Sequence, residues 1–152
     1  MRASQAMKRE VMTIPPELSL RVAWAAMKRH HFRHFPVVAS GRLRGILSDR
    51  DILLRSQLVN EEIEVPKLIV AEAMTWDPIC CSPEATVDVL AQLMMDKKID
   101  ALPIVEQHSS KLVGLVTSTD LLALFTRRNG TRAIPFNFEL RAINTRGLQG
   151  VA

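Results

Sequence analysis

Gly45-Ile46-Leu47-Ser48-Asp49-Arg50-Asp51 is answered 69 positions later by Gly114-Leu115-Val116-Thr117-Ser118-Thr119-Asp120. In both stretches an apolar, strand-like run ends in a hydroxyl residue, and an aspartate follows three positions on, where a helix is predicted to begin. Upstream the correspondence continues at a shift of 67. Residues 5–38 fall on 72–105 without a gap, and Ala6, Met7, Pro16, Glu17, Val22, Met27, Pro36 and Val38 recur unchanged. The two-residue difference lies in the turn between these blocks, after which Leu43 and Leu53 recur as Leu112 and Leu122. Two copies are too few for an open solenoid, so the pattern predicts a duplicated module whose halves pack on each other and work at two quasi-equivalent places.

Size supports mutual packing. A half of roughly 60 residues buries only a marginal core alone. The boundaries that follow are residues 5–58 for the first repeat, 59–70 for a linker rich in glutamate, 71–127 for the second repeat and 128–152 for a basic tail. From Arg127 onward five arginines stand against Glu139, so the whole net charge of +4 lies at that end and the repeats are close to neutral. Nucleic acid therefore has at most the tail to hold, and a solvated extension is the plainer reading. No apolar run approaches the ~20 residues of a membrane span, and no leader pattern opens the chain. Cys80 and Cys81 are adjacent, a poor arrangement for a structural disulfide, and a reducing, cytoplasmic setting is expected.

Each copy reads as β-α-β-β-α. Residues 11–14 form a short apolar run stopped by Pro15-Pro16, and Ser19 precedes a helix with Leu20, Ala23, Trp24 and Met27 on one face. Residues 35–39 and 43–47 read as strands around Ser40-Gly41, and Ser48 opens a second helix. In the second copy residues 78–81 form the short strand, and Thr86 precedes a helix with Val87, Leu90, Ala91 and Met94 on one face. Residues 102–105 and 112–116 form the hairpin, and Thr117 opens the last helix. The expected fold class is α/β (α+β): two repeats packed as a pseudo-two-fold module. In the tail, Phe136, Phe138 and Leu140 alternate as an edge strand would.

The hydroxyl–aspartate motif supports two accounts. As capping boxes, Ser48 and Thr117 accept backbone N–H bonds while Asp51 and Asp120 face the positive helix end, worth about 1 kcal/mol per helix. As a binding element, the same geometry offers a donor to phosphate and a carboxylate to the two hydroxyls of a ribose. Spacing alone favours the cap.

The stretches RHFPVV (33–38) with GRLRGILSDRD (41–51), and ALPIV (101–105) with KLVGLVTSTD (111–120), resemble a tandem pair of CBS domains, the module named after cystathionine β-synthase. The similarity covers about residues 5–127. It is similar above all to small stand-alone bacterial CBS proteins of the acetoin-utilisation type. The resemblance implies a non-enzymatic regulatory module, a homodimer joined through its helices, that takes AMP, ADP or ATP, or less favourably S-adenosylmethionine or NADH, between the copies and signals to a partner protein. It further implies one pocket with Ser48 and Asp51 beside Thr13, Ile14, Pro15, Arg33, His34, Phe35 and Pro36. The other would hold Thr117 and Asp120 beside Cys80, Cys81, Ser82, Asp100, Ala101, Leu102 and Pro103. Arg33-His34 in one copy against Asp100-Ala101 in the other predicts a cationic first pocket that prefers a charged nucleotide and a second that repels phosphate.

Other features have plainer explanations. His30, His31 and His34 straddle a helix end, and no Cys or carboxylate pattern completes a zinc site. An alternating strand would send the two thiols to opposite faces, which argues for packing rather than redox sensing. Trp24 sits at core spacing. A dimerisation scaffold with unused pockets and a nucleic-acid binder acting through the tail remain the competing functions.

Overall fold

The computed structural model describes residues 1–129, so the tail and the alternation at Phe136, Phe138 and Leu140 lie outside the described residues. A short helix α1 (Ala3–Ala6) leads the chain. The first repeat then supplies α2 (Leu20–His30), β1 (His34–Ala39), β2 (Arg42–Ser48) and α3 (Asp49–Leu53). After a hairpin β3 (Gln57–Val59) and β4 (Glu62–Glu64) come a 3-10 turn (Val70–Glu72) and a two-residue strand β5 (Thr75–Trp76). The second repeat supplies α4 (Val87–Lys97), β6 (Ala101–Val105), β7 (Leu112–Thr117) and α5 (Ser118–Asn129).

The two hairpins are built alike. Strand β1 pairs antiparallel with β2 from His34↔Ser48 to Val37↔Gly45, with a bulge at Val37/Val38. Strand β6 pairs with β7 from Ala101↔Thr117 to Ile104↔Gly114, with the same bulge at Ile104/Val105. Helices α2 and α4 stop on His31 and Lys98, both left-handed, with φ of 55° and 54°. Their buried faces follow the helical spacing: Leu20, Ala23 and Met27 in α2, and Leu90 and Met94 in α4.

The expected first strand of each copy shrinks to a single parallel bridge, Ile14↔Val37 and Cys81↔Ile104. Proline explains the loss. Pro15, directly after Ile14, and Pro83, two after Cys81, have no N–H with which to continue a ladder. The stretch read as a linker is partly a hairpin, turning through Asn60 and Glu61, both at positive φ. Outward-facing Leu58 is 74% exposed.

The main departure from a simple side-by-side repeat lies in the leading segments, which are exchanged. Residues 68–76 dock on the first repeat: the Leu20 N–H donates to the Leu68 carbonyl at 2.8 Å, and the Val70 N–H to Leu18 at 2.8 Å. β5 then extends the first sheet through Gly45↔Trp76 and Ile46↔Thr75. Residues 1–8 dock on the second repeat. The Ala3 N–H donates to Ala85 at 2.7 Å, and Lys8 bridges Leu115 through two backbone bonds of 3.0 Å. Val70, Ala73 and Met74 are therefore buried in the first core, and Ala3 is buried in the second with Met7 packed against it.

Two glycines make the exchange possible. A Cβ on Gly45 would stand 2.6 Å from the Met74 sulfur, and one on Gly114 would stand 2.5 Å from the Met7 sulfur. A glycine inside a strand here marks a close approach of another segment. Each half lends its opening segment to complete the other's core, which is how two halves of marginal size become one folded body.

Candidate functional site

The hydroxyl–aspartate motif forms a closed capping box in both copies. The Ser48 N–H and Oγ–H donate to Asp51 Oδ2 at 2.8 and 2.7 Å, and the Asp51 N–H returns to Ser48 Oγ at 3.1 Å. The Thr117 N–H and Oγ–H donate to Asp120 Oδ2 at 2.9 and 2.7 Å, and the Asp120 N–H returns to Thr117 Oγ1 at 3.3 Å. In this arrangement the single hydroxyl proton is directed to the carboxylate. A phosphate would have to draw that proton away.

Each motif sits on a cleft of about 230–240 Å³. The first cleft gathers Ser48, Asp49, Arg50 and Asp51 with Ile46, Arg33 and His34. The second repeat adds Thr75, Pro78, Ile79 and Lys98 through Ala101. The second cleft gathers Thr117, Ser118, Thr119 and Leu115 with Lys8, Glu10, Val11 and Met12, and is closed by His31 to His34 and Asp100. Each cleft therefore joins the motif of one repeat to the entry segment of the other, a direct result of the exchange.

This rearranges the expected pockets. Thr75, Pro78 and Ile79 stand beside Ser48, in place of Thr13, Ile14 and Pro15. Thr13 and Pro15 lie exposed elsewhere, and Ile14 is buried against Val37. Lys8, Val11 and Met12 stand beside Thr117, in place of Cys80, Cys81 and Ser82. Cys80 is exposed and Cys81 buried, and burial, followed by the neighbouring Cys80, pushes the Cys81 thiol up. Phe35, Pro36, Leu102 and Pro103 are buried in the sheets and do not line either cleft. The signal that pointed to the missing residues was the paired strand glycines, which require another segment to cross them, together with the Met7/Met74 equivalence.

The residues of the Arg33-His34 and Asp100-Ala101 contrast do not fall into separate clefts. Arg33, His34 and Asp100 line both clefts, because the starts of β1 and β6 border the two clefts alike. The Asp49 N–H donates to the Arg33 carbonyl and the Ser118 N–H to the Asp100 carbonyl, each at 2.9 Å. Arg33 Nε donates to Asp49 Oδ2 at 3.1 Å, and Arg50 approaches Asp100 at 3.8 Å. The shared wall thus carries both signs. Burial holds the His34 imidazole below its ordinary range, against the pull of Asp49, so it is disposed to be neutral at pH 7.

What distinguishes the clefts is the second oxygen of each aspartate. Among the described residues nothing donates to Asp51 Oδ1, and Asp51 lines its cleft. Asp120 Oδ1 is held by Lys8 Nζ at 2.9 Å. Burial works against the Asp120 charge, but the hydrogen bonds from Lys8 and Thr117 outweigh it and hold the carboxyl below its ordinary value.

Among the described residues no helix is long and apolar enough to cross a membrane. Comparison with known proteins agrees with the geometry. A CBS domain profile matches residues 3–57 and 70–127. The CBS domain-containing protein YhcV of Bacillus subtilis is 36% identical over 115 residues, covering 76% of this chain and 79% of that protein. The CBS domain pair of protein MJ0100, solved with 5′-methylthioadenosine and S-adenosyl-L-methionine, superposes with a TM-score of 0.73 at 25% identity, covering 85% of this chain and 98% of that one. A Vibrio cholerae protein assigned to acetoin utilization (AcuB) superposes with a TM-score of 0.71 at 29% identity, covering 84% and 93%. Of a longer relative, the inosine-5′-monophosphate dehydrogenase of Korarchaeum cryptofilum, the chain spans only 23%. Exchanged repeats, paired capping motifs and these likenesses together place the chain in the CBS domain family, as a tandem CBS pair.

Proposed function

We propose that this CBS pair is a non-enzymatic regulatory module that binds an adenosine nucleotide, AMP, ADP or ATP, in the first cleft. The observation that carries the reading is the uncommitted Asp51 Oδ1 on that cleft, suited to accept from a ribose diol. Arg50 and Lys98 on the same cleft supply cations for phosphate, and Ile46, Pro78 and Ile79 supply apolar surface for a base. The adenosine ligands held by the MJ0100 pair support the ligand class. They also keep S-adenosylmethionine, and less favourably NADH, as comparison ligands. Because the cleft is lined from both repeats, a ligand there favours one relative placement of the halves, and a partner protein reads that population shift.

The exposed residues Val22, Val89, Met95 and Leu122 on the helices and Leu54 at the end of α3, from 49% to 77% exposed, support self-association through the helices as a homodimer. Thermal denaturation with each ligand tests the function. At about 100 times its Kd, the true ligand should add about 2.7 kcal/mol, and Asp51→Asn should remove the gain. Absence of any shift with all of these ligands at millimolar concentration would leave the pair as a scaffold.

A further inference from the structure

Lys8 is not a loose surface lysine. Its backbone is fixed by the paired bonds to Leu115, each 3.0 Å, and its ammonium meets Asp120 Oδ1 at 2.9 Å. The Asp120 side chain is only 15% exposed while that of Lys8 is 62% exposed, so the cation lies over the carboxylate from the solvent side. With Oδ2 already accepting from the Thr117 N–H and hydroxyl, both oxygens of Asp120 are engaged. Accordingly Thr117, Ser118 and Thr119 line the second cleft and Asp120 does not. In the first repeat the same place on the exchanged segment is held by Thr75, bridged to Ile46 as Lys8 is to Leu115. Among the described residues Thr75 makes no side-chain bond to Asp51, and Asp51 lines its cleft.

We propose that Lys8 is a specificity-determining residue that closes the second cleft to a ribose diol by occupying the Asp120 carboxylate, leaving the first cleft as the one tight nucleoside site. The proposal rests on the nucleotide reading above and adds its regulation: position 8, or its counterpart 75, sets whether a cleft reads a diol. A diol hydroxyl must compete with the ammonium for Asp120 Oδ1, whereas at Asp51 it meets an open acceptor.

The test is an exchange between the copies. Titration calorimetry with AMP, adenosine and 2′-deoxyadenosine is run on the wild-type chain, Lys8→Thr and Thr75→Lys, each first checked for a cooperative thermal transition well above the titration temperature. Wild type is expected to bind one tight equivalent. Lys8→Thr should tighten a second equivalent by about two- to fivefold, the scale of a partly exposed ion pair. Thr75→Lys should weaken the first by a similar factor. The gain in Lys8→Thr should be present for adenosine and absent for 2′-deoxyadenosine, which lacks the diol and, like adenosine, carries no phosphate for Lys8 to attract. Two equal tight sites in wild type, or a second site unchanged or weakened by Lys8→Thr, would overturn the role of Lys8 while leaving the nucleotide reading intact. Failure of all three proteins to bind any adenosine compound would overturn the nucleotide reading and this role with it. An NMR titration of the Asp120 carboxyl provides a readout without ligand: its pKa should rise in Lys8→Thr, and an unmoved value counts against the contact.

Discussion

Residues 68–76 and residues 1–8 are one piece of sequence used twice, yet they hold their receiving repeats differently. The later segment buries Val70, Ala73 and Met74 in the first core and continues as a two-residue strand on β2. The earlier one buries Ala3, leaves Met7 partly exposed, and touches β7 by a single bridge at Lys8. The heavier dock sets a threonine, Thr75, on its cleft and leaves that cleft open. The lighter dock ends in a lysine that reaches into its cleft. Duplication preserved the exchange while packing and ligand access diverged in opposite senses, so each copy should fail in its own way when perturbed.

The largest difference is expected in the methionines that cross the strand glycines. Met74→Ala should lower stability by about 2–5 kcal/mol, as for a buried core truncation. Met7→Ala should lower it by roughly 1–2 kcal/mol, as for a half-buried one. Urea unfolding measures both, and equal losses would remove the distinction between heavy and light docks.

Next are the caps. Ser48→Ala and Thr117→Ala should each cost about 0.5–2 kcal/mol, with asparagine, which can accept from the backbone and donate to the aspartate, largely restoring the loss. The copies should part on ligand binding. Ser48→Asp places a negative charge on the open cleft and should weaken AMP, whereas Thr117→Asp should leave the tight site unchanged. Equal effects on AMP would show that the clefts are not distinguished as described.

The smallest effect is in acid, where the two repeats should respond in sequence. His34, whose counterpart is Ala101, has its folded pKa lowered by burial. The unfolded chain therefore binds the proton first, and stability falls as pH drops below about 6.5 towards the folded value. Asp120 is held below its ordinary value, so its contribution is intact above about pH 4 and is lost as pH falls through the folded value. Denaturant midpoints against pH should lose the first step in His34→Gln and shrink the second in Lys8→Thr. A single step unaffected by either substitution would merge the two.

Much of this architecture was legible in the sequence because periodicity and caps are local. The faces of α2 and α4 follow from Leu20, Ala23, Met27, Leu90 and Met94, and the capping boxes from Ser48, Asp51, Thr117 and Asp120. What stayed hidden depends on which copy a segment packs against, and near-identical copies make that ambiguous. Residues 5–38 aligned with 72–105 say that Met7 and Met74 are equivalent, not which strand each crosses. The same ambiguity put Thr13 beside Ser48 when the fold puts Thr75 there, and it separated Arg33 from Asp100 when the fold sets them on one wall. The β3–β4 hairpin escaped notice because its turn, Asn60-Glu61, takes positive φ without a glycine to announce it.

The exchange also bears on how such a chain can arise. A single repeat standing alone has an unfilled slot over its strand glycine and an opening segment with nowhere to dock. Two separate copies would satisfy each other by trading those segments, which is a domain-swapped dimer whose formation depends on concentration. Joining the copies on one chain, with residues 57–67 as the tether, replaces that dependence with a fixed effective concentration. Gene fusion would thus have turned an assembly that dilution can undo into one that it cannot, and freed the two copies of the opening segment to drift apart.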